Sequence, residues 1–222
     1  MNTDLPDGAV LQRDRRTYAI APRLACGLVG PDMLRRLADV AERFGATLKC
    51  TGAQRIAVIG LRAEDLDEAW NMLGGKDPGH MHGNRVRSVR ACPGTQFCKR
   101  ALQDSLDLGL ELDRLYLGMP LPGKLKIGVS GCGNECSETC IRDIGIVGER
   151  RGWHILVGGA GGMSPRLARQ LTESPIDREQ VLRTVARLID LYREQARPDE
   201  RIGSVIDRLG LTAVRERTLG QG

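Results

Sequence analysis

The sequence predicts a mixed fold of α-helices and β-strands, of the α/β or the α+β class, and three observations support this. Apolar residues recur at helical spacing in several segments, short β-branched runs lie between them, and glycine or proline marks most boundaries. The 222 residues are 41% hydrophobic and 27% charged, which is enough apolar material for a core and excludes a wholly disordered chain. The order of the strands is not deducible from these patterns.

The first part of the chain predicts one small α/β unit over residues 17–75. Its long helix begins at Pro31, which suits a first helical position, and stops at Gly45. The predicted elements are, in order, a strand at Thr17–Ile20, the Pro31 helix, strands at Thr47–Cys50 and Arg55–Ile59, and a helix at Ala63–Leu73.

A Gly- and Pro-containing connector at residues 76–84 separates this unit from the rest of the chain. We therefore expect a half-domain at 1–80, a second domain at 81–165 and a helical extension at 166–222. The strands predicted beyond the connector are Val86–Arg90, Lys124–Val129, Ile144–Val147 and His154–Val157. The helices predicted there are Lys99–Leu110, Pro165–Leu171, one capped by Asp177, and one at about 199–209.

Composition narrows the function classes. Lys and Arg total 33 against 28 acidic residues, a net charge of +5, which is compatible with nucleic acid, small anions or a polyanionic cofactor. Aromatic residues are only 3%, which argues against a stacking platform for single-stranded nucleic acid. The sequence has no apolar run of the ~20 residues that cross a bilayer, and its N-terminus lacks a signal-peptide pattern. We expect a cytoplasmic protein without a membrane partner.

Four of the seven cysteines form two close pairs, each directly after a predicted strand. Cys92 and Cys98 have five residues between them, and Cys132 and Cys136 have three. Four thiolates in glycine-containing loops are typical of an iron–sulfur cluster. Structural zinc is an alternative, although a spacing of five fits it poorly, and buried free thiols are another. Cys26, Cys50 and Cys140 have no such spacing and no assigned role.

These motifs resemble the sirohaem-containing nitrite and sulfite reductases. The likeness rests on Cys92-x5-Cys98, on Cys132-x3-Cys136 within Val-Ser-Gly-Cys-Gly-Asn-Glu-Cys, and on the flanking segments that begin at Thr51 and Gly152. It is greatest to small assimilatory-type sulfite reductases and to the sirohaem region of NADH-dependent nitrite reductase. It implies an α+β chain with a ferredoxin-like half-domain, a sirohaem and [4Fe–4S] α/β domain and a helical C-terminal tail.

The resemblance also implies roles for single residues. The four paired cysteines would hold the [4Fe–4S] cluster, and Cys136 would also bridge to the sirohaem iron. Sirohaem in this family carries many carboxylates, which basic residues near the cysteine loops would bind: Arg85, Arg87, Arg90, Lys99 and Arg100. Four further cations would bind the substrate anion: Lys124, Lys126, Arg55 and Arg23.

The resemblance predicts a reductase that converts sulfite to sulfide with six electrons from a separate donor, such as a ferredoxin or a flavoprotein. Nitrite reduction to ammonia is the alternative, and a cluster-only electron-transfer or regulatory module and a nucleic-acid-binding zinc protein are others. Full-length members of the family carry two copies of a unit made of one half-domain and one sirohaem domain. Their substrate lysines and cluster cysteines come from different copies. This chain carries one copy, so we expect either a different geometry within the chain or a homodimer.

Overall fold

The computed structural model describes residues 8–79 and 82–220. The chain divides into two compact units, residues 1–82 and residues 83–222. Each unit has its own sheet, and the two sheets contain four and five strands.

The first unit is an antiparallel sheet with two helices. Its strands lie in the order β1-β2-β4-β3. They are β1 (Val10–Leu11), β2 (Tyr18–Ile20), β3 (Thr47–Thr51) and β4 (Arg55–Leu61), and the helices are α1 (Pro31–Phe44) and α2 (Leu66–Met72). Leu37 of α1, Val58 of β4 and Trp70 of α2 are all fully buried in one core cluster. The predicted elements of this unit are confirmed, and their strand ends shift by one or two residues. The second helix starts as a 3₁₀ turn at Ala63–Asp65 before it becomes α2. β1 lies in a segment for which no element is predicted.

The second unit contains a mixed sheet in the order β5-β6-β7-β8-β9. Its strands are β5 (Arg90–Ala91), β6 (Ile127–Ser130), β7 (Ile144–Glu149), β8 (Gly152–Val157) and β9 (Arg169–Gln170). The first three are parallel to one another, and β8 and β9 continue the sheet in antiparallel pairing. The inner strand β6 is buried along its whole length.

Five helices belong to the second unit: α3 (Gly94–Phe97), α4 (Ser105–Tyr116), α5 (Arg178–Gln195), α6 (Ile202–Leu209) and α7 (Leu211–Leu219). The last three form the helical tail. Asp177 caps α5 as predicted, since its carboxylate accepts the Gln180 N–H at 2.7 Å. The apolar face predicted for α5 is buried, with Val185 and Leu188 fully inaccessible.

Four predicted elements of the second unit differ from the structure. The strand predicted at Lys124–Val129 begins only at Ile127, so both lysines precede it. The helix predicted at Pro165–Leu171 is wrong, because this segment contains β9 and pairs with β8. The helix predicted at Lys99–Leu110 begins only at Ser105, where Asp104 supplies the cap. The strand predicted at Val86–Arg90 is reduced to isolated bridges followed by the short β5.

The α+β fold class with a helical tail is confirmed. No helix within residues 8–79 and 82–220 is both long and apolar enough to cross a membrane.

Candidate functional site

The two cysteine pairs begin at the carboxyl ends of two neighbouring parallel strands. Cys92 follows β5 directly, and Cys132 comes two residues after Ser130 at the end of β6. The strands are in register at this point, with Ala91 opposite Val129. Because parallel strands run in the same direction, both loops leave the sheet at the same edge.

Backbone hydrogen bonds hold the two loops in direct contact. The Gly131 carbonyl accepts the N–H of Leu102 at 2.7 Å and that of Gln103 at 3.1 Å, and the Gly131 N–H donates to Cys92 Sγ at 3.1 Å. A Cβ atom at position 131 would lie 2.7 Å from the Gln103 oxygen. The close approach therefore requires glycine, and it places one backbone amide on a candidate ligand sulfur.

The four paired thiols differ in exposure. Cys92 is buried, with Sγ 3.0 Å from Ser105 Oγ, whereas Cys98 and Cys132 are half-buried and Cys136 is exposed. Within the described residues, no three His, Cys, Asp or Glu side chains lie close enough to hold a metal ion as they stand. The structure brings the two loops together, and the four-thiolate centre stays a prediction.

The other cysteines lie in different surroundings. Cys26 is buried and Cys50 is exposed, both in the first unit. Cys140 is half-buried beside the second loop, and its N–H donates to Glu135 Oε2 at 2.8 Å. Burial and the Glu135 carboxylate raise the pKa of the Cys140 thiol. The thiolate form that a metal needs is disfavoured at this position.

Two non-glycine residues in the second cysteine loop adopt left-handed backbone conformations, Glu135 with φ of 48° and Glu138 with φ of 56°. Such conformations are costly for residues with a Cβ and persist where neighbours hold them. Glu135 is held by hydrogen bonds from Thr139 Oγ1 at 2.6 Å and from the Cys140 N–H. The loop is therefore fixed by its own side chains.

The two lysines predicted to bind substrate precede β6 and flank the buried Leu125. Lys124 is exposed and Lys126 is half-buried. Burial lowers the pKa of Lys126, and the charges of Arg142, Lys124 and Arg201 lower it further. A lysine whose pKa is lowered by burial and by neighbouring cations lies in a site suited to an anion.

Arg87 belongs to the same group of cations. Burial, and then the charges of Arg85 and Arg201, lower the pKa of Arg87. Its Nη2 donates to the Gly83 carbonyl at 2.9 Å, whereas its Nε is buried without a hydrogen-bond partner among the described residues. An unpartnered buried donor in a cationic cluster fits a ligand rich in carboxylates.

The other predicted cofactor-binding cations lie closer to the cysteines. Arg90 is in β5, and its Nη1 lies 2.9 Å from a carboxylate oxygen of Glu138. Lys99 and Arg100 are exposed in the turn after Cys98. Arg90 is therefore paired with a carboxylate of the protein, whereas Lys99 and Arg100 face solvent.

The two arginines predicted to bind substrate lie in the first unit. Arg55 is 3% exposed, and its guanidinium donates to the carbonyls of Ala21 at 3.1 Å, Pro78 at 2.6 Å and Gly79 at 2.6 Å. These bonds join the connector to the end of β2. The Arg23 side chain is 30% exposed. The substrate roles of both arginines stay predictions, and Arg55 has a structural role as well.

Sequence reasoning missed a buried ion pair that supports Lys126. Asp143 is 1% exposed and accepts the Lys126 N–H at 2.8 Å. Arg201 Nη2 donates to both oxygens of this carboxylate at 2.7 Å. The only sequence signal was a charged residue at the start of a predicted strand. Nothing local connects it to Arg201, which lies 58 residues further along the chain.

Comparison with known proteins identifies the family. Residues 82–221 match the nitrite and sulphite reductase 4Fe-4S domain, and residues 10–75 match the nitrite/sulfite reductase ferredoxin-like half domain. The chain belongs to the nitrite and sulphite reductase family. The resemblance drawn from the cysteine motifs is confirmed.

Relatives within the family differ in length. The chain is 36% identical over 219 residues to an assimilatory-type sulfite reductase of Nitratidesulfovibrio vulgaris, covering 98% of this chain and 100% of that protein. It is 38% identical over 215 residues to the large subunit of the NAD(P)H nitrite reductase of Klebsiella oxytoca and spans 22% of that protein. It spans 25% of a Bacillus subtilis nitrite reductase, also at 38% identity.

Solved structures share the fold. The Mycobacterium tuberculosis NirA protein superposes with a TM-score of 0.76 at 22% identity, covering 90% of this chain and 40% of that one. Dissimilatory sulfite reductase I superposes with a TM-score of 0.77 at 16% identity, covering 93% and 70%.

Membership of the nitrite and sulphite reductase family implies a [4Fe–4S] cluster and sirohaem as cofactors. The residues present fit these groups. Two contacting loops carry four cysteines, and the second unit holds a cationic cluster in which Arg87 Nε is buried without a partner among the described residues.

Proposed function

We propose that this chain is an assimilatory-type sulfite reductase that reduces sulfite to sulfide with six electrons from a separate donor, a ferredoxin or a flavoprotein. The observation that carries the proposal is the match to a relative of that name across its whole length. The cationic cluster around Lys126 supports it, because sulfite is a small dianion.

The cysteines would hold the cofactors. Cys92, Cys98, Cys132 and Cys136 would ligate the cluster, and Cys136 would also bridge to the sirohaem iron. When bound, these groups would supply the electron transfer and the sulfur coordination that reduction requires. The Gly131 N–H, which lies on Cys92 Sγ, would stay as a hydrogen bond to a ligating sulfur, and such bonds raise the reduction potential.

The cations would bind the anions. Arg85, Arg87, Arg90, Lys99 and Arg100 would bind sirohaem carboxylates. Lys124 and Lys126, with Arg23 and Arg55, would bind the substrate.

Lys126 would also supply protons. The oxygen atoms of sulfite leave as water, and each of them takes up two protons. The lowered pKa of Lys126 makes its ammonium a better proton donor than an ordinary lysine. The residue would therefore hold both a charge and a transferable proton at Nζ.

Nitrite is the second candidate substrate. It is favoured by the 38% identity to the NAD(P)H nitrite reductases, which exceeds the identity to the sulfite reductase. The chain spans about a quarter of those proteins.

A direct comparison of substrates tests the proposal. The cofactor-loaded protein is assayed anaerobically with reduced methyl viologen, and sulfide and ammonia are measured as products. We expect kcat/KM for sulfite to exceed that for nitrite by about tenfold or more. A preference for nitrite would transfer the assignment to nitrite reduction. Iron and labile sulfide without a Soret band, and without either activity, would indicate a cluster-only module.

A further inference from the structure

A single carboxylate joins the two cysteine loops. Glu138 follows Cys136 by two residues, and its Oε2 accepts a hydrogen bond from Arg90 Nη1 at 2.9 Å. Arg90 precedes Cys92 by two residues. The same oxygen accepts a hydrogen bond from Arg142 Nη2. The carboxylate therefore connects the strand that enters the first loop to the segment that leaves the second.

Two largely buried cations, Arg90 and Arg142, are neutralised by the more exposed Glu138 carboxylate. The side chain of Arg142 is 5% exposed and that of Arg90 is 20% exposed, whereas Glu138 is 57% exposed. Burial and then the charge of Arg90 lower the pKa of Arg142, and Glu138 acts in the opposite direction. Without the carboxylate, two largely buried guanidinium groups would repel each other across the junction of the loops.

The backbone at Glu138 indicates that the contact holds the loop. Its φ of 56° lies in the left-handed region, which a glutamate occupies at a cost. Arg142 Nε also donates to the Ser137 carbonyl at 3.3 Å, one residue before the strained position. The Arg142 side chain thus restrains the loop through both its backbone and its carboxylate.

We propose that Glu138 is a positioning residue that orders the Cys132–Cys136 loop against the Cys92 loop before a cluster is inserted. It is not a ligand and does not touch substrate. The proposal rests on the proposed cluster function for its role in assembly. The ordering of the loop itself is a property of the protein without cofactors.

The test compares two variants in which an arginine-paired carboxylate becomes an amide. Glu138→Gln removes the charge between the loops. The control is Asp207→Asn in α6, where a carboxylate accepts from Arg166 at 2.7 and 2.9 Å and from Arg169 at 2.9 Å. We measure amide hydrogen exchange of residues 131–140 in the cofactor-free proteins, and the rate at which a chelator removes iron from the loaded proteins.

We expect Glu138→Gln to accelerate amide hydrogen exchange in this segment and the removal of iron by a chelator, each by about tenfold. Asp207→Asn should leave both rates at the wild-type value. In the Glu138→Gln background, Arg90→Gln is expected to reverse part of both changes, because it removes the cation that would repel Arg142 once the carboxylate charge is gone. Equal behaviour of Glu138→Gln and Asp207→Asn would overturn the inference. A wild-type chain that binds no cluster would overturn the proposed function instead, while the exchange comparison would still decide the role of Glu138.

Discussion

At the residue scale, Lys126 combines partial burial, neighbouring cations and a backbone fixed by Asp143. We expect Lys126→Ala to raise KM for sulfite about tenfold, the loss of one hydrogen bond to a charged group. The variant should also lower kcat, because a proton donor is lost, and leave the cofactor content unchanged. Steady-state kinetics and iron content measure this. A structural role would instead lower the iron content together with the activity.

The pH dependence of KM identifies the ammonium more specifically. Only the protonated amine binds an anion, and the lowered pKa means that Lys126 loses its charge at a lower pH than an ordinary lysine. KM should therefore begin to rise below the usual lysine pKa, at pH values where sulfite is already fully deprotonated. In Lys126→Arg this rise should disappear, because the guanidinium stays charged. Identical profiles for both proteins would assign the titration to another group.

At the element scale, the contact between the cysteine loops depends on Gly131. Gly131→Ala would place a Cβ 2.7 Å from the Gln103 oxygen, which is backbone and cannot give way easily. The matched control is Gly133→Ala, two residues on, where a Cβ would meet no atom within 4 Å. We expect Gly131→Ala to lower the iron content of the purified protein at least severalfold and Gly133→Ala to retain it. Equal iron contents would mean that the contact is not needed for the cluster.

The helical tail is fixed to the sheet by the Asp143–Arg201 pair. Arg201→Met leaves a buried carboxylate without its cation, and we expect the free energy of unfolding to fall by about 3 kcal/mol. Arg183→Met is the control, since Arg183 forms an exposed pair with Glu179 in α5, and its cost should stay below ~0.5 kcal/mol. Urea unfolding of the cofactor-free protein measures both. A similar small loss for both variants would show that the pair contributes little.

The sequence predicts best those helices whose ends are marked by proline, glycine or a capping side chain. Pro31 and Gly45 fixed both ends of α1, and Asp177 fixed the start of α5. The helix predicted at Pro165–Leu171 is wrong, because pairing with β8 decides the conformation of this segment. Such pairing is a tertiary effect that a local pattern does not contain.

In the candidate site, too, the sequence predicts the features that are local in the chain and misses those that are not. The cysteine spacings revealed both loops, because metal ligands recur at short range in sequence. The ion pairs of Asp143 and Glu138 join residues 58 and 48 positions apart. No periodicity or spacing predicts them, and only the folded chain brings the partners together.

At the scale of the whole molecule, the homodimer stays a prediction. The reason to expect it is the distance between the lysines and the cysteines. Lys126 precedes β6 and Cys132 follows it, so this four-residue strand separates them by about 13 Å along its axis. In a homodimer, the lysine of one copy would bind substrate at the cofactors that the cysteines of the other copy hold.

Complementation tests this arrangement. Lys126→Ala and Cys136→Ser are each expected to be nearly inactive at low sulfite. If sites form between copies, co-expression of the two variants should restore about a quarter of the wild-type activity, since half of the dimers are mixed and each has one intact site. A clean monomer by light scattering that is fully active would contradict the prediction.

The absorption spectrum of the anaerobically purified chain, with iron and acid-labile sulfide determined on the same sample, shows directly whether this chain holds sirohaem and a [4Fe–4S] cluster. We expect a Soret band, a red band of the sirohaem type, and one more iron than labile sulfide per chain. Folded protein that is colourless and free of iron after cofactor supply would contradict this expectation.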